Sequence, residues 1–169
     1  MCPPAPDAMH GVTFLMSKLG FHVSHRFAEA VAPLGLVPPH AGILRLVGEE
    51  PGQSQQALAR KIGIAPNRLV ALIDELERRE LIRRDRSPTD RRVFALRLTA
   101  AGEEMDQRVR AIGAEHERTV TAALDDDERR TLAELLRRVA EEQGVPAGVH
   151  PGMRTLRAGA PTPRGRSGG

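Results

Sequence analysis

Apolar residues recur at every third or fourth position along most of the chain, which is the spacing of one face of an α-helix. The first such stretch predicts a long amphipathic helix from about Gly11 to Ala32, and a second apolar cluster predicts a helix that stops near "EEPG" at 49–52. Ser54 is a favourable N-cap for a short third helix that ends at Gly63. Pro66 suits the first turn of a fourth helix, whose buried stripe is predicted to consist of Leu69, Leu72, Ile73 and Leu76.

The spacing changes between residues 81 and 98, where "LIRR" and "RRVFALRL" flank the polar turn "DRSPTD". This pattern predicts a two-stranded hairpin, which is too short to be stable without packing on a neighbour. Helical spacing then returns and predicts a long helix from about Ala100 to Leu124. A last helix begins at Asp125 to Asp127 and carries the apolar stripe Leu132, Leu135, Leu136 and Val139. Within one chain only the first helix could cover these two helices, so we expect a second copy of the chain to complete the layer.

The order of these elements predicts the fold class. A short helix, a tight turn containing glycine and a second helix with an inward apolar stripe have the proportions of a helix-turn-helix. A hairpin directly after the second helix is placed as a wing. We therefore predict a mainly α-helical fold with a small β-hairpin wing, a winged helix-turn-helix with long N- and C-terminal dimerisation helices. The tip "DRSPTDRR" supplies three arginines, the side chain favoured against phosphates and in minor grooves.

Composition and charge narrow the class of protein. Only 2% of the 169 residues are aromatic, which predicts an aliphatic core. The chain has a single cysteine, Cys2, and we therefore predict no cysteine chemistry. No apolar run is long enough for a membrane span and no signal peptide is evident, so we expect a cytoplasmic protein without a membrane partner. Residues 144–169 contain four arginines and no acid, so they carry a charge of +4. Because the net charge of the whole chain is +3, the remaining residues carry a net charge of −1. This Gly- and Pro-rich tail is predicted to be disordered, either as a solvated appendage or as a basic arm with nonspecific affinity for nucleic acid.

From about Leu36 to Met105 the chain resembles the MarR (multiple antibiotic resistance regulator) family of winged helix-turn-helix transcription factors. The resemblance is carried by "QALARKIGIAPNRLVALIDELERREL", by "DRR" and by "LTAAGEEM", and it matches the family pattern at Asp74, Leu76, Glu77, Asp90, Arg92, Leu98, Thr99 and Gly102. Two positions depart from the family. Glu80 stands where glycine usually ends the recognition helix, so we expect an unusual C-cap there, and Ala65 replaces the usual polar N-cap.

The predicted DNA contacts follow from helix geometry and from the resemblance. The N-terminal residues of a recognition helix point into the major groove, where Arg68 could bridge guanine O6 and N7 or else bind a phosphate or a nearby acid. Ser54 and Gln55 could bind phosphate at a helix N-terminus or simply cap it. The resemblance implies that Arg92 enters the groove with Asp90 orienting it. The full predicted set is Ser54, Gln55, Pro66, Asn67, Arg68, Ala71, Arg86, Asp90, Arg91 and Arg92.

The resemblance also implies a homodimeric repressor of a nearby gene, bound to a palindromic operator and released by a small effector such as a phenolic or other aromatic anion. We predict an effector crevice that includes His22, His25 and His40. No metal, cofactor or catalytic residue is predicted, and the chain is not expected to be an enzyme. Two alternatives stay open: a metal-responsive regulator of the same fold, since histidines occur on several helices, and a winged-helix module that binds protein.

The predicted organisation has four parts. Residues 1–10 form a flexible N-terminus, and residues 36–99 form the winged helix-turn-helix DNA-binding domain. Residues 11–35 and 100–143 together form a helical dimerisation layer. Residues 144–169 form the disordered basic tail.

Overall fold

The computed structural model describes residues 11–86 and 94–145. Its helices are α1 (Val12–Val31), α2 (Pro38–Glu49), α3 (Gln55–Ile62), α4 (Pro66–Arg78), α5 (Ala100–Val120) and α6 (Asp126–Glu142), and its strands are β1 (Ile82–Arg86) and β2 (Phe94–Leu98). A short 3-10 turn, Ala32–Leu34, follows α1. The mainly helical fold with one hairpin confirms the predicted fold class. The predicted N-terminal and C-terminal tails and the wing tip fall outside the described residues.

The core lies between α2, α3, α4 and the hairpin. Each of these elements contributes residues spaced for a single buried face, and the core is aliphatic, as the shortage of aromatic residues predicts. Close packing of such side chains supplies most of the hydrophobic stabilisation. The fully buried side chains include Ile43, Leu44, Val47, Leu58, Ile62, Leu69, Ile73, Leu76 and Leu96.

The helix boundaries follow the capping signals in the sequence. The Ser54 hydroxyl accepts a hydrogen bond from the backbone N–H of Ala57 at 3.1 Å, which starts α3. Gly63 ends that helix in the left-handed conformation, with φ of 75°. Glu80 also has a positive φ, 56°, so the unusual C-cap predicted there is confirmed. A non-glycine residue is strained in this region, and the Glu80 carbonyl is held by a 2.5 Å hydrogen bond donated by the Thr99 hydroxyl.

The hairpin is antiparallel and pairs Ile82 with Leu98, Arg84 with Leu96 and Arg86 with Phe94. The segment before α3 extends this sheet, because the N–H of Gly52 donates to the Leu96 carbonyl at 2.8 Å. In return the N–H of Leu96 donates to the carbonyl of Gln53, at 2.9 Å. The wing is therefore hydrogen-bonded to the segment that precedes α3, and these bonds help to stabilise the short hairpin.

The C-terminal end of α4 is attached to the connection between α1 and α2. The guanidinium of Arg79 donates to the Gly35 carbonyl at 2.7 Å and to the Leu34 carbonyl at 2.9 Å. Gly35 has φ of 68°, which glycine adopts without strain. A movement of the α1–α2 connection would consequently be transmitted to α4.

Helix α5 packs on α1 and α2 and ends at Val120, four residues before the predicted Leu124. The reason is local, because residues 121–124 form a turn whose Thr121 and Leu124 carbonyls accept from Arg129. Asp125 then starts α6 with a capping box. The apolar stripes of α1 and α6 remain exposed in one chain, at Val12, Leu15, Leu19, Phe21, Leu132, Leu135, Leu136 and Val139.

Two further features concern only residues 11–86 and 94–145. No group of three or more His, Cys, Asp or Glu side chains there lies close enough to hold a metal ion. No single described helix is long and apolar enough to cross a membrane, although Val12–Leu34 and Pro38–Glu49, bent by 77°, reach that length and composition as a pair.

Candidate DNA-binding interface

Helix α4 is oriented by its buried stripe. Leu69, Ile73 and Leu76 are completely buried, and Leu72 packs partly buried against the same core. With this face fixed inward, residues roughly half a turn away must face outward. Pro66 begins the helix after an extended Ala65, which makes no side-chain capping hydrogen bond.

The predicted base-reading residues lie at this outward face. Asn67 and Ala71 are exposed and Arg68 is half-buried. The Asn67 side-chain oxygen accepts from the N–H of Arg68 at 2.9 Å, leaving its amide group to donate outward. Val70 is 40% exposed on the same surface and was not among the predicted contacts. An apolar side chain there suits contact with a thymine methyl group.

The N-terminus of α3 presents a second set of predicted contacts. The Ser54 hydroxyl caps α3, as its position in the sequence predicts, and its contact with DNA stays a prediction. Gln55 turns its amide inward, and its Nε2 atom is buried with no hydrogen-bond partner among the described residues. The N–H of Ala57 in the first turn is already bonded to the Ser54 hydroxyl, and phosphate binding at this helix N-terminus stays a prediction.

The base of the wing carries several arginines. Arg86 is exposed at the far end of β1, opposite Phe94. The next predicted contacts, Asp90, Arg91 and Arg92, lie outside the described residues. On one face of the hairpin Asp85 pairs with Arg83 at 3.4 Å and with Arg97 at 3.5 Å.

On the other face of the hairpin, Arg84 pairs with two carboxylates of α4. Its Nη2 atom lies 2.5 Å from Asp74 Oδ1, and Nη1 binds Glu77 Oε2. The sequence analysis named Asp74 and Glu77 as motif positions but did not name their partner. One guanidinium therefore joins the wing to the recognition helix.

The structure does not bring the three predicted effector histidines together around a cavity. His22 and His25 are exposed on α1, where His25 stacks on Phe21 and lies 3.5 Å from Glu29. His40 is buried at the start of α2, and its Nδ1 has no hydrogen-bond partner among the described residues. Burial lowers the pKa of His40, more than the nearby Glu75 carboxylate raises it. In one chain His40 thus turns into the core while the other two histidines face outward, and an effector site that includes all three stays a prediction.

A half-open cavity of about 350 Å³ lies between α1, α2 and α5, lined by Phe27, Arg45, Glu49, Val109, Arg110 and Gly113. Arg45 pairs with Glu49 at 2.9 Å. Arg110 pairs at 2.7 Å with the buried Asp106, whose hydrogen bond raises the pKa of Arg110. This volume suits a small molecule, and the lining offers one aromatic ring and two guanidinium groups.

Comparisons with known proteins agree with this architecture. A family model described as "MarR family" matches residues 36–94. A protein of Thauera aromatica described as a transcriptional regulatory protein for the hcr operon is 32% identical over 152 residues, which cover 85% of this chain and 90% of that protein. The transcriptional repressor CouR, solved bound to a 23-mer DNA duplex, has a TM-score of 0.69 and 34% identity, covering 77% of this chain and 92% of that one.

A further solved relative is the MarR family protein Rv2887 of Mycobacterium tuberculosis in complex with salicylic acid. It has a TM-score of 0.62 and 26% identity, and the match covers 76% of this chain and 96% of that one. Identity above 30% across most of a regulator's length, the matching family model and the winged helix-turn-helix geometry all point the same way. The chain belongs to the MarR family of transcriptional regulators.

Proposed function

We propose that this protein is a homodimeric repressor that binds a palindromic DNA operator through α4 and the wing, and that a small aromatic anion releases it. It acts by binding and not by catalysis. The observation that carries this proposal is the outward face of α4, with Asn67, Arg68, Val70 and Ala71, set beside an arginine-rich hairpin on one packed core. The relative CouR, which was solved on a DNA duplex, supports the same mode of binding.

The assembly follows from the exposed apolar stripes. A monomer would leave the stripes of α1 and α6 in water, and exposed apolar surfaces of this kind mark association sites. We propose that α1, α5 and α6 form the dimerisation layer and that α2 to β2 form the DNA-binding domain. Two-fold symmetry would then place two copies of α4 one helical turn apart on DNA.

The first test separates base reading from phosphate binding. Arg68→Ala should cost roughly 1–3 kcal/mol on the operator and little on a scrambled duplex, because a bidentate arginine discriminates guanine from other bases. Arg92→Ala should weaken binding to both duplexes and lower the slope of log affinity against log salt by about one per contact. The operator is obtained by selection from a random duplex library with the wild-type protein, and affinities are measured by fluorescence anisotropy over a salt series.

Each outcome has a distinct meaning. Equal losses on both duplexes would make Arg68 a phosphate contact, and an unchanged salt slope for Arg92→Ala would remove that arginine from the DNA. Arg108→Ala is the control, because Arg108 lies on α5 and pairs with Glu104 on the same helix. If the wild-type protein enriches no duplex from the library, the proposal of sequence-specific DNA binding fails.

The cavity between α1, α2 and α5 is the proposed effector site. Its two guanidinium groups suit a carboxylate or phenolate, and Phe27 offers a ring for stacking. It adjoins both the dimerisation layer and α2. An effector that changes their spacing would move the α1–α2 connection, which Arg79 ties to the end of α4. The effector releases the DNA if it binds more tightly to the conformation in which the two copies of α4 are not spaced to fit the operator.

Salicylate is the probe for this site, since Rv2887 was solved with salicylic acid. We expect millimolar salicylate to weaken operator binding by the wild-type protein, and Arg45→Ala to reduce that response while leaving operator affinity within about twofold of wild type. The chain has no Trp or Tyr, so the fluorescence of salicylate itself can report binding. Arg108→Ala is again matched, because both arginines pair with a glutamate four residues away. An unaltered salicylate response in Arg45→Ala would remove the cavity from the proposal.

A further inference from the structure

Arg84 occupies an unusual position for an arginine at a DNA-binding surface. It lies in the middle of β1 opposite Leu96, a completely buried residue, and its side chain is only 18% exposed. Both terminal nitrogens are engaged by carboxylates, with Nη2 on Asp74 and Nη1 on Glu77. The planar guanidinium group therefore points toward α4, where it binds Asp74 and Glu77.

The two carboxylates lie on the helix that reads DNA. Asp74 follows Ala71 by three residues and Asn67 by seven, so it continues the outward stripe of α4. Its side chain is 51% exposed. A carboxylate at this place would repel the phosphate backbone of a bound duplex. Glu77 stands one turn further from Asp74, at the edge that meets β1.

Neighbouring arginines do not duplicate this arrangement. Arg83 and Arg97 pair with Asp85, and β1 alternates its side chains, so Arg83 and Arg84 point to opposite faces of the hairpin. Arg84 is thus the residue of β1 that both reduces the negative charge of the two α4 carboxylates and joins the hairpin to the helix.

We infer that Arg84 is a positioning residue for DNA binding. It offsets one of the two negative charges of Asp74 and Glu77 on the DNA-facing side and fixes the angle between the wing and α4, without itself contacting DNA. This inference rests on the proposed function, since it requires that α4 and the wing bind one duplex together. The same three residues predict a specific pattern of loss and recovery when their charges are removed.

The experiment compares Arg84→Ala with the triple variant Arg84→Ala, Asp74→Ala and Glu77→Ala on the selected operator. We expect roughly a tenfold loss of operator affinity for the single variant, because two carboxylates are left unpaired beside the phosphates. The triple variant should recover the part of this loss that comes from repulsion, since the repelling charges are gone, but not the part that comes from losing the tie between the wing and α4. Arg84→Lys should be intermediate, because an ammonium keeps the charge but cannot bridge both carboxylates in a planar fork.

Salt and stability separate this role from two others. Salt screens electrostatic repulsion, so the loss of operator affinity caused by Arg84→Ala should become smaller as the salt concentration rises. A purely structural defect would instead cause a loss of affinity that does not depend on salt, together with a lower melting temperature. If Arg84 instead bound a phosphate directly, the loss of affinity would also become smaller at high salt. In that case the triple variant would bind the operator as weakly as Arg84→Ala does. Either of these results overturns the inference.

The control and the wild-type arm make the failures distinguishable. Arg108→Ala removes an arginine on α5, far along the chain from α4, and should bind the operator like the wild type. If wild type and Arg108→Ala bind while Arg84→Ala binds equally well, only the role of Arg84 is rejected. If the wild type binds no duplex, the proposed function and this inference both fall. Should Arg84→Ala fail to fold, Arg84→Lys and its combination with Asp74→Asn give the same comparison.

Discussion

Replacing Gly102 with alanine is expected to destabilise the protein by about 3 kcal/mol or more. Gly102 lies in the first turn of α5, and a Cβ atom at this position would lie 1.9 Å from the Leu81 carbonyl oxygen and 2.9 Å from its carbonyl carbon. Both are backbone atoms, so no side chain can rotate away. The Leu81 carbonyl also accepts a 3.1 Å hydrogen bond from the N–H of Thr99, and moving it would loosen the junction between α4, β1 and α5.

The matched control is Gly113→Ala in the same helix. A Cβ there meets nothing within 4 Å, so the alanine should instead stabilise the protein by roughly 0.5–1 kcal/mol through its better helix propensity. Urea denaturation followed by circular dichroism measures both variants against wild type. A Gly102→Ala protein with an unchanged midpoint would show that the first turn of α5 does not press on Leu81 in solution.

Gly102 also illustrates what the sequence could predict. The resemblance identified it as a family position, together with Thr99 three residues earlier, which the structure shows to be the N-cap of α5. The steric reason was not recognisable, because it depends on how closely α5 approaches the end of α4. Helix boundaries followed the same rule. Ser54, Gly63 and Glu80 act through their own backbone and near neighbours, and their predicted roles were confirmed.

Contacts between elements distant in sequence were not predictable in the same way. The pairing of Arg84 with α4 depends on the hairpin register, since shifting β1 by one residue would turn Arg83 toward the helix instead. The predicted histidine crevice meets the same limit. Spacing along α1 gave the face shared by His22 and His25, but not whether His40 turns toward them or into the core.

Asp106 extends this point to charge. Its place in the helical spacing of α5 gives no sign that it is buried, yet it is only 6% exposed and lies against Gly48, where an added Cβ would come within 3.3 Å of its Oδ2. Arg110 offsets its charge from one turn away. Removing the partner of a buried carboxylate is costly. Because Arg110 both pairs with Asp106 and lines the cavity, this part of the lining is needed for folding as well as for any ligand.

The largest effect on function is expected from the dimerisation layer. Leu132→Glu combined with Leu136→Glu places two charges in the exposed stripe of α6, and burying them against a second copy would be prohibitive. We expect a monomer by analytical ultracentrifugation and an operator affinity lower by at least about a hundredfold, because the second half-site no longer adds to the first.

Arg130→Ala combined with Arg137→Ala is the control for this change. It alters the net charge by the same two units on the opposite face of α6, where no apolar stripe lies, and it should remain dimeric and bind the operator. Helix α6 itself should persist in the double glutamate variant, since its capping box at Asp125 and Glu128 is untouched, and circular dichroism would register its loss. A double glutamate variant that stays dimeric would move the subunit interface away from α6 and leave its exposed leucines without a role, whereas a monomer with full operator affinity would show that each winged domain reads DNA independently of its partner.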